Sequence, residues 1–302
     1  MRDHVVGRIT QLAQQDPRIV LITGDLGFGV LNEYRERCAA QFINAGVAEQ
    51  NMTAMAAGMA MEGHIVFTYS IANFPTLRCL EQIRNDVCYH DLNVNVLAVG
   101  GGFSYGQLGM SHHATEDLSI MRALPNIQVL APSDPWQAVH AVDALIAQDG
   151  PGYLRIDKSS AGVAPIDHPD LATLRVHRDG TDVMLVGIGG ILAECLEAAE
   201  QLGERGVSAG VLEVVTLKPL DVDGIVAAAE RTPLLVTVEE HSVVGGLGGA
   251  VAEVIAERRT AASLLRIGLN DTYSSIVGSQ DYLRNVYEMD AAAIVSKVLE
   301  RL

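Results

Sequence analysis

Two α/β units in tandem, each a mostly parallel sheet flanked by helices, are what this sequence predicts. Three observations lead there. Short apolar runs alternate with helical patterns along nearly the whole chain, the signature of parallel sheets joined by helical crossovers. The alternation stops over residues 157–180, which carry Lys, Ser, Gly, Pro, His and Asp with little periodicity, and then restarts. Finally, 302 residues of which 49% are hydrophobic suffice for two cores of ordinary size. The predicted division is a first unit over 1–160, a linker over 161–179 and a second unit over 180–302.

Each element has its own warrant. Val5, Val6, Ile9, Leu12 and Ala13 share one helical face, so residues 4–15 are predicted helical, with Pro17 just beyond. Ile19-Val20-Leu21-Ile22 is a continuous apolar run, as in a strand buried on both faces. It delivers Gly24-Asp25-Leu26-Gly27 to the carboxyl edge of a sheet, where such folds place ligands. A short strand over 42–44 precedes Gly46-Val47-Ala48-Glu49-Gln50-Asn51-Met52, and the Ala- and Met-rich stretch that follows reads as a buried helix. Then come a strand over 64–69, a helix over 75–89, a strand over 95–99 and a glycine-rich polar loop over 100–113. A helix over 116–123, a strand over 127–130, a helix over 134–147 and a strand over 153–156 complete the first unit. In the second unit, strands are predicted over 183–186, 210–215, 234–238 and 264–267, and helices over 191–203, 222–229, 247–257 and 291–302.

Composition narrows the function. With 21 basic against 37 acidic residues the net charge is −16, and no basic cluster interrupts the excess, so nucleic acid and anionic membrane surfaces are poor partners. No apolar leader run follows Met1-Arg2-Asp3-His4, and every greasy stretch is shorter than a membrane span. Cys38, Cys79, Cys88 and Cys195 form no C-x-x-C pair and read as buried thiols of a reducing compartment. A cytoplasmic protein is expected.

Several stretches bear on chemistry. Glu49 opens a helix, where a carboxylate is stabilised by the helix N-terminus; that placement suits either a dipole-capping residue or a catalytic acid. Gly24-Asp25-Leu26-Gly27 lacks the spacing of a diphosphate cradle, and Asn51 falls inside a helix start rather than in a metal-binding loop. Gly189-Gly190 and Gly245-Gly246-Leu247-Gly248-Gly249 sit at strand-to-helix turns, where close packing of helix on sheet accounts for them. Aromatics are only 5% of the chain, yet Phe67, Tyr69 and Phe74 gather near one strand end, a setting for a flat ring ligand. His112 and His113 lie in a loop without further ligands at metal spacing, so a histidine acting on a substrate oxygen is favoured and no metal site is predicted.

These residues resemble a known family. Gly46-Val47-Ala48-Glu49-Gln50-Asn51-Met52 is similar to the pyrimidine-domain signature of transketolases. Glu81-Gln82-Ile83-Arg84-Asn85-Asp86, Ser111-His112-His113, Pro132-Ser133-Asp134 and Val238-Glu239-Glu240-His241 with Gly245-Gly246-Leu247-Gly248 continue the match in order. The resemblance implies a pyrimidine-binding domain followed by a transketolase C-terminal domain, with the diphosphate-binding domain missing. It therefore implies the C-terminal subunit of a split enzyme. The expected assembly is α2β2, with a separate N-terminal subunit that holds thiamine diphosphate through Mg2+. By the same resemblance Glu49 hydrogen-bonds the aminopyrimidine and drives proton removal from the thiazolium, a role that needs a buried carboxyl because desolvation favours the protonated form. Phe74 stacks on the pyrimidine, with Tyr69 as a second wall. Asp25 and Leu26 lie against the cofactor. His112 steadies a reacting oxygen. Arg2 and Lys158 face the substrate's phosphate, Lys158 replacing an arginine and losing its fork.

The chain departs from the family where sugar phosphates are read. Gly100 stands where transketolases have a histidine, Leu108 where they have an aspartate, and Gly29 where they have a serine. A ketol or acyl transfer between an unusual donor and acceptor, a sugar or keto acid, is therefore expected rather than the pentose-phosphate reaction. The alternatives are the beta subunit of a 2-oxo acid dehydrogenase or decarboxylase, and a non-catalytic scaffold that kept the fold.

Overall fold

A computed structural model describes residues 1–302. In chain order the first unit runs α1 (Arg2–Ala13), β1 (Ile19–Thr23), α2 (Asn32–Arg37), β2 (Phe42–Asn44), α3 (Glu49–Met61), β3 (Ile65–Ile71), α4 (Leu80–Gln82), β4 (Val94–Val99), α5 (Asp117–Ala123), β5 (Gln128–Leu130), α6 (Pro135–Ala147) and β6 (Gly152–Ile156). The second runs β7 (Arg175–Arg178), β8 (Val183–Ile188), α7 (Leu192–Glu204), β9 (Ala209–Val214), β10 (Thr216–Lys218), α8 (Val222–Arg231), β11 (Leu234–Ser242), α9 (Leu247–Arg258), β12 (Ser263–Leu269), α10 (Gln280–Val286) and α11 (Ala291–Leu299).

The first sheet has seven strands in the order β10-β5-β6-β4-β3-β1-β2, and the second has five in the order β12-β11-β8-β9-β7. Both are parallel except at one edge, where β10 pairs antiparallel with β5 and β7 antiparallel with β9. The parallel strands are the apolar runs of the sequence: every residue of β1, β4, β6, β8 and β9 is buried. Helix ends follow local chemistry. Asp134 and Gln137 form a reciprocal capping box ahead of α6, with Pro135 in its first turn, and Asp290 accepts from the Ala293 N–H to start α11.

Four differences from the expected elements matter. First, β10 comes from the second unit's stretch of chain yet extends the first sheet, its Thr216 opposite Leu130. Second, the stretch expected to be aperiodic carries β7, an edge strand of Arg, Val, His and Arg without an apolar run to betray it. Third, the helix expected over 75–89 is two π-turns, Phe74–Arg78 and Ile83–Cys88, flanking the single α-turn α4. Such wide turns re-aim side chains and concentrate at functional sites. Fourth, α2 and α10 are short helices that the sequence pattern did not reveal.

The two units share a core. One apolar cluster joins Leu118 and Met121 of α5 to Val186 of β8, Leu212 of β9 and Leu247 of α9. Beside it lies a buried charge network. Arg155 reaches Asp117 at 3.4 Å and donates to the Glu240 carbonyl at 2.8 Å, while Gln280 donates to Asp157 and to Glu240, each at 2.9 Å. Arg284 pairs with Glu240 and donates to Ser159 at 2.8 Å. Asp117, Arg155 and Asp157 belong to the first unit, and Glu240, Gln280 and Arg284 to the second, so the network fixes the units against each other.

Candidate active site

Parallel strands place their carboxyl ends along one edge, and the candidate residues gather there. β1 ends in the Gly24–Gly27 turn, β3 leads to Phe74, β4 to the 100–113 loop and β6 to Asp157 and Lys158.

Glu49 lies in the first turn of α3 and is 4% exposed. The end of β1 presses on it: a Cβ at Gly24 would stand 3.3 Å from Glu49 Cγ. Its carboxylate accepts from Arg78 Nη1 at 3.0 Å. The Arg78 guanidinium carbon lies 4.2 Å from the centre of the Phe74 ring. Phe74 meets His112 edge-on at 5.2 Å between centroids, and His112 stands 6.5 Å from Tyr105. Lys158 Nζ covers the Tyr105 ring at 3.8 Å. Two clefts flank this row. One, of about 470 Å³, is lined by Val47, Ala48, Glu49, Gln50, Asn51 and Arg78. The other, of about 430 Å³, is lined in part by Arg2, Val99, Tyr105, Asp157 and Lys158.

Local contacts hold the row. The Asn73 amide donates to the Ser111 carbonyl at 3.1 Å, tying the Phe74 turn to the His112 loop, and Ser111 Oγ lies 3.0 Å from His112 Nδ1. Asp25 adopts φ 60° and is braced by Asn44, whose amide donates to its carboxylate at 2.9 Å and whose carbonyl accepts its N–H at 3.1 Å. The Thr23 hydroxyl donates to the Leu26 carbonyl at 3.0 Å, closing the turn. Burial lowers the pKa of Lys158, and the neighbouring charge of Arg2 lowers it further. Burial raises that of Tyr105, with Arg2 opposing, and pushes Tyr69 up to about 12.

Glu49, Phe74 and His112 thus come together, and Arg2 joins Lys158 in the second cleft. The three aromatics do not form one pocket. Phe67 is fully buried in the core and Tyr69 is 3% exposed beside it, since residues two apart on a strand share a face. The Tyr69 ring backs onto the turn after β1, 3.0 Å from where a Cβ of Gly27 would stand. His113 is structural: it is buried, lies 3.2 Å from the Gly106 carbonyl through Nε2 and packs edge-on against Phe103. Glu239 accepts the Leu247 and Gly248 N–H groups at 2.7 and 2.8 Å, and a Cβ at Gly246 would strike its carboxylate at 2.1 Å, so that glycine run serves packing.

Two residues escaped the sequence reading. Arg78 follows Phe74 by four positions, a spacing that puts both on one helical face and could have flagged it. Tyr105 left no such signal. Its ring fills the space beside Gly100, where a Cβ would fall 2.1 Å from Tyr105 Cε2.

The family described as "Transketolase, pyrimidine binding domain" matches residues 1–163, and "Transketolase, C-terminal domain" matches residues 172–294. The chain belongs to the transketolase family. Among its relatives, the 6-deoxy-6-sulfo-D-fructose transketolase subunit SqwH of Clostridium sp. (strain MSTE9) is 36% identical over 98% of this chain and 92% of its own. An apulose-4-phosphate transketolase subunit of Phocaeicola vulgatus is 34% identical over 97% of this chain and 94% of its own. A solved split-gene transketolase, an inactive β4 tetramer, superposes with a TM-score of 0.90 at 35% identity, covering 99% of this chain and 97% of that one. Within the transketolase frame, the row from Glu49 to Phe74 lies in the pyrimidine-binding part of the chain.

Proposed function

We propose that this chain is the C-terminal subunit of a heteromeric, thiamine diphosphate-dependent transketolase-like enzyme that transfers a ketol or acyl unit from a ketose-type donor to an aldehyde-type acceptor. The observation that carries the reading is the unbroken row Glu49, Arg78, Phe74, His112, Tyr105, Lys158, which links a buried carboxylate to a cationic cleft.

The residues fit an aminopyrimidine. Glu49 is buried yet already accepts from a planar N–H donor at 3.0 Å, and Phe74 already carries a flat cation on its face at 4.2 Å. When bound, the cofactor supplies a nucleophilic carbon that the protein lacks. Glu49 holds and moves the proton at the heterocycle, its carboxylate standing where it already accepts from an N–H donor. Phe74 fixes the ring plane, and Asp25 and Leu26 form the turn against it. Tyr69 supports that turn from below. His112 donates toward a reacting oxygen, held by Ser111. Arg2 and Lys158 bind an anionic substrate terminus. Magnesium and the diphosphate belong to an N-terminal partner subunit in an α2β2 assembly.

The specificity differs from the pentose-phosphate reaction. Tyr105 blocks any side chain at position 100, Leu108 is an apolar residue 56% exposed, and nothing lies within 4 Å of where a Gly29 Cβ would be. The test is to co-express the chain with an N-terminal transketolase subunit and measure thiamine diphosphate-dependent turnover. Slow turnover of xylulose 5-phosphate with ribose 5-phosphate and faster turnover of another donor–acceptor pair are expected. Fast turnover of that standard pair would contradict the altered specificity, and lipoyl-protein reduction with carbon dioxide release would contradict the reaction class. As to compartment, no helix is long and apolar enough to cross a membrane; cytoplasmic residence is part of the proposal.

A further inference from the structure

We infer that Arg78 is a functional residue of the heterocycle site, a built-in occupant that holds the place of the aminopyrimidine until the cofactor arrives. The inference rests on the reading above for the identity of the ligand. Its geometric basis is independent of that reading.

The guanidinium satisfies both demands attributed to the heterocycle. It is flat and lies over Phe74 at 4.2 Å, and it is an N–H donor that reaches Glu49 Oε1 at 3.0 Å. An aminopyrimidine that takes this ring face and Glu49 Oε1 displaces the guanidinium from both, so in this inference loading and the Arg78 contacts compete. Arginine suits the placeholder role because its planar fork lies flat on an aromatic ring while it pairs with a carboxylate, whereas an ammonium can sit over a ring but presents no plane to it. The occupant is also free to leave. The Arg78 side chain is 49% exposed, while Glu49 is 5% exposed, so the arginine can swing into the cleft lined by Val47, Ala48, Gln50 and Asn51 and the carboxylate stays put. Arg78 closes the π-turn Phe74–Arg78, whose geometry lets its side chain fold back over the ring that begins the same turn.

The arrangement has a purpose within the subunit. A buried carboxylate without a cation or a proton is costly. Arg78 neutralises Glu49 while the chain is free of cofactor, and surrenders it when a better-placed donor enters. Apparent affinity is then reduced by the fraction of molecules in which the site is filled by Arg78.

The experiment uses the chain assembled with its N-terminal subunit and reads equilibrium binding of thiamine diphosphate with Mg2+, without substrate, alongside thermal unfolding of the cofactor-free chain. Arg78→Leu is expected to tighten binding by about fivefold, as removal of a competing state dictates, and to lower the unfolding temperature of the cofactor-free chain. Arg78→Lys keeps the charge but loses the plane and is expected to fall between wild type and Arg78→Leu; it also serves if the leucine variant does not fold. Raising salt weakens the internal pair, so binding to wild type is expected to strengthen relative to Arg78→Leu. Unchanged or weaker binding in both variants overturns the inference while leaving the proposed enzyme intact. A wild-type assembly that binds no thiamine diphosphate overturns both.

Discussion

Replacing Arg284 by methionine tests whether the buried network between the two units holds the site in place. Arg284 is 2% exposed, and around it Glu240 is 2% and Asp157 6% exposed. Burial by itself raises the pKa of Asp157, but Arg284, Gln280 and Arg155 together outweigh it and hold the group below its ordinary value. Burial raises that of Glu240 despite Arg284. Methionine preserves most of the volume and removes the cation, leaving Asp157 and Glu240 to share Arg155 with Asp117. Breaking a buried pair from one side costs about 3–5 kcal/mol, a large part of the roughly 5–15 kcal/mol that stabilises an ordinary domain. The network explains a pH dependence of that deficit. Glu240 already has a folded pKa above 4.5, and losing Arg284 raises it further, so protonation relieves the variant as pH falls toward 4.5. Denaturant midpoints followed through Trp136 fluorescence at pH 8 and pH 5 are the assay, with midpoints preferred because a chain of two units need not unfold in one step. Phe103 donates to Glu240 and Ser104 to Asp157 at 2.8 Å, just before Tyr105, so KM for the substrate should rise before kcat falls. A loss below about 1 kcal/mol, or one that does not shrink at pH 5, would refute the reasoning.

Other outcomes follow from single contacts. Tyr105→Leu removes a cation–π contact with Lys158 worth about 0.5–1 kcal/mol at a partly exposed site; KM for an anionic substrate should rise about two- to fivefold with kcat largely kept, as initial rates over substrate concentration will show. The pKa of Lys158 is lowered from 10.5 by burial and then by Arg2, so it loses its charge as pH rises through a value below 10.5. KM for an anionic substrate should climb over that range, and Lys158→Arg should flatten the alkaline limb of the pH profile. Burial raises the pKa of Glu213, but bonds from His177 at 2.7 Å, Gln137 at 2.7 Å and Ser133 outweigh it and hold the group below 4.5. A depressed carboxyl stabilises the fold above its unfolded value and ceases to do so as pH falls through the folded one. Thermal melts between pH 6 and 3 should therefore decline more steeply for wild type than for Glu213→Gln.

What the sequence revealed divides along physical lines. Buried parallel strands announce themselves, because both faces demand apolar residues; Ile19-Val20-Leu21-Ile22 is such a run and appears as β1. Edge strands need no such run, so β7 and β10, three or four residues each and paired on one side, left no pattern to read. The same logic separates the site residues. Glu49, Phe74 and His112 sit in stretches whose order along the chain is distinctive, and the fold draws them together at the carboxyl edge of the first sheet. Phe67 and Tyr69 group with Phe74 in the sequence because all three fall near one strand end; in the fold Phe67 and Tyr69 pack in the core cluster with Leu31 and Tyr34. Arg78 and Tyr105 gain their roles only from tertiary contacts. A π-turn folds Arg78 back over Phe74, and a loop closed by the Gly102–Ala114 bridge brings Tyr105 onto Gly100.

The central claim is that one buried carboxyl handles the proton at a bound heterocycle. The most direct measurement compares wild type with Glu49→Gln, each assembled with the N-terminal subunit, for thiamine diphosphate binding and for turnover. The account predicts intact assembly and measurable binding with turnover reduced by roughly 10²–10⁴, the range for loss of a positioned acid–base group. A Glu49→Gln assembly that turns over at the wild-type rate would contradict it.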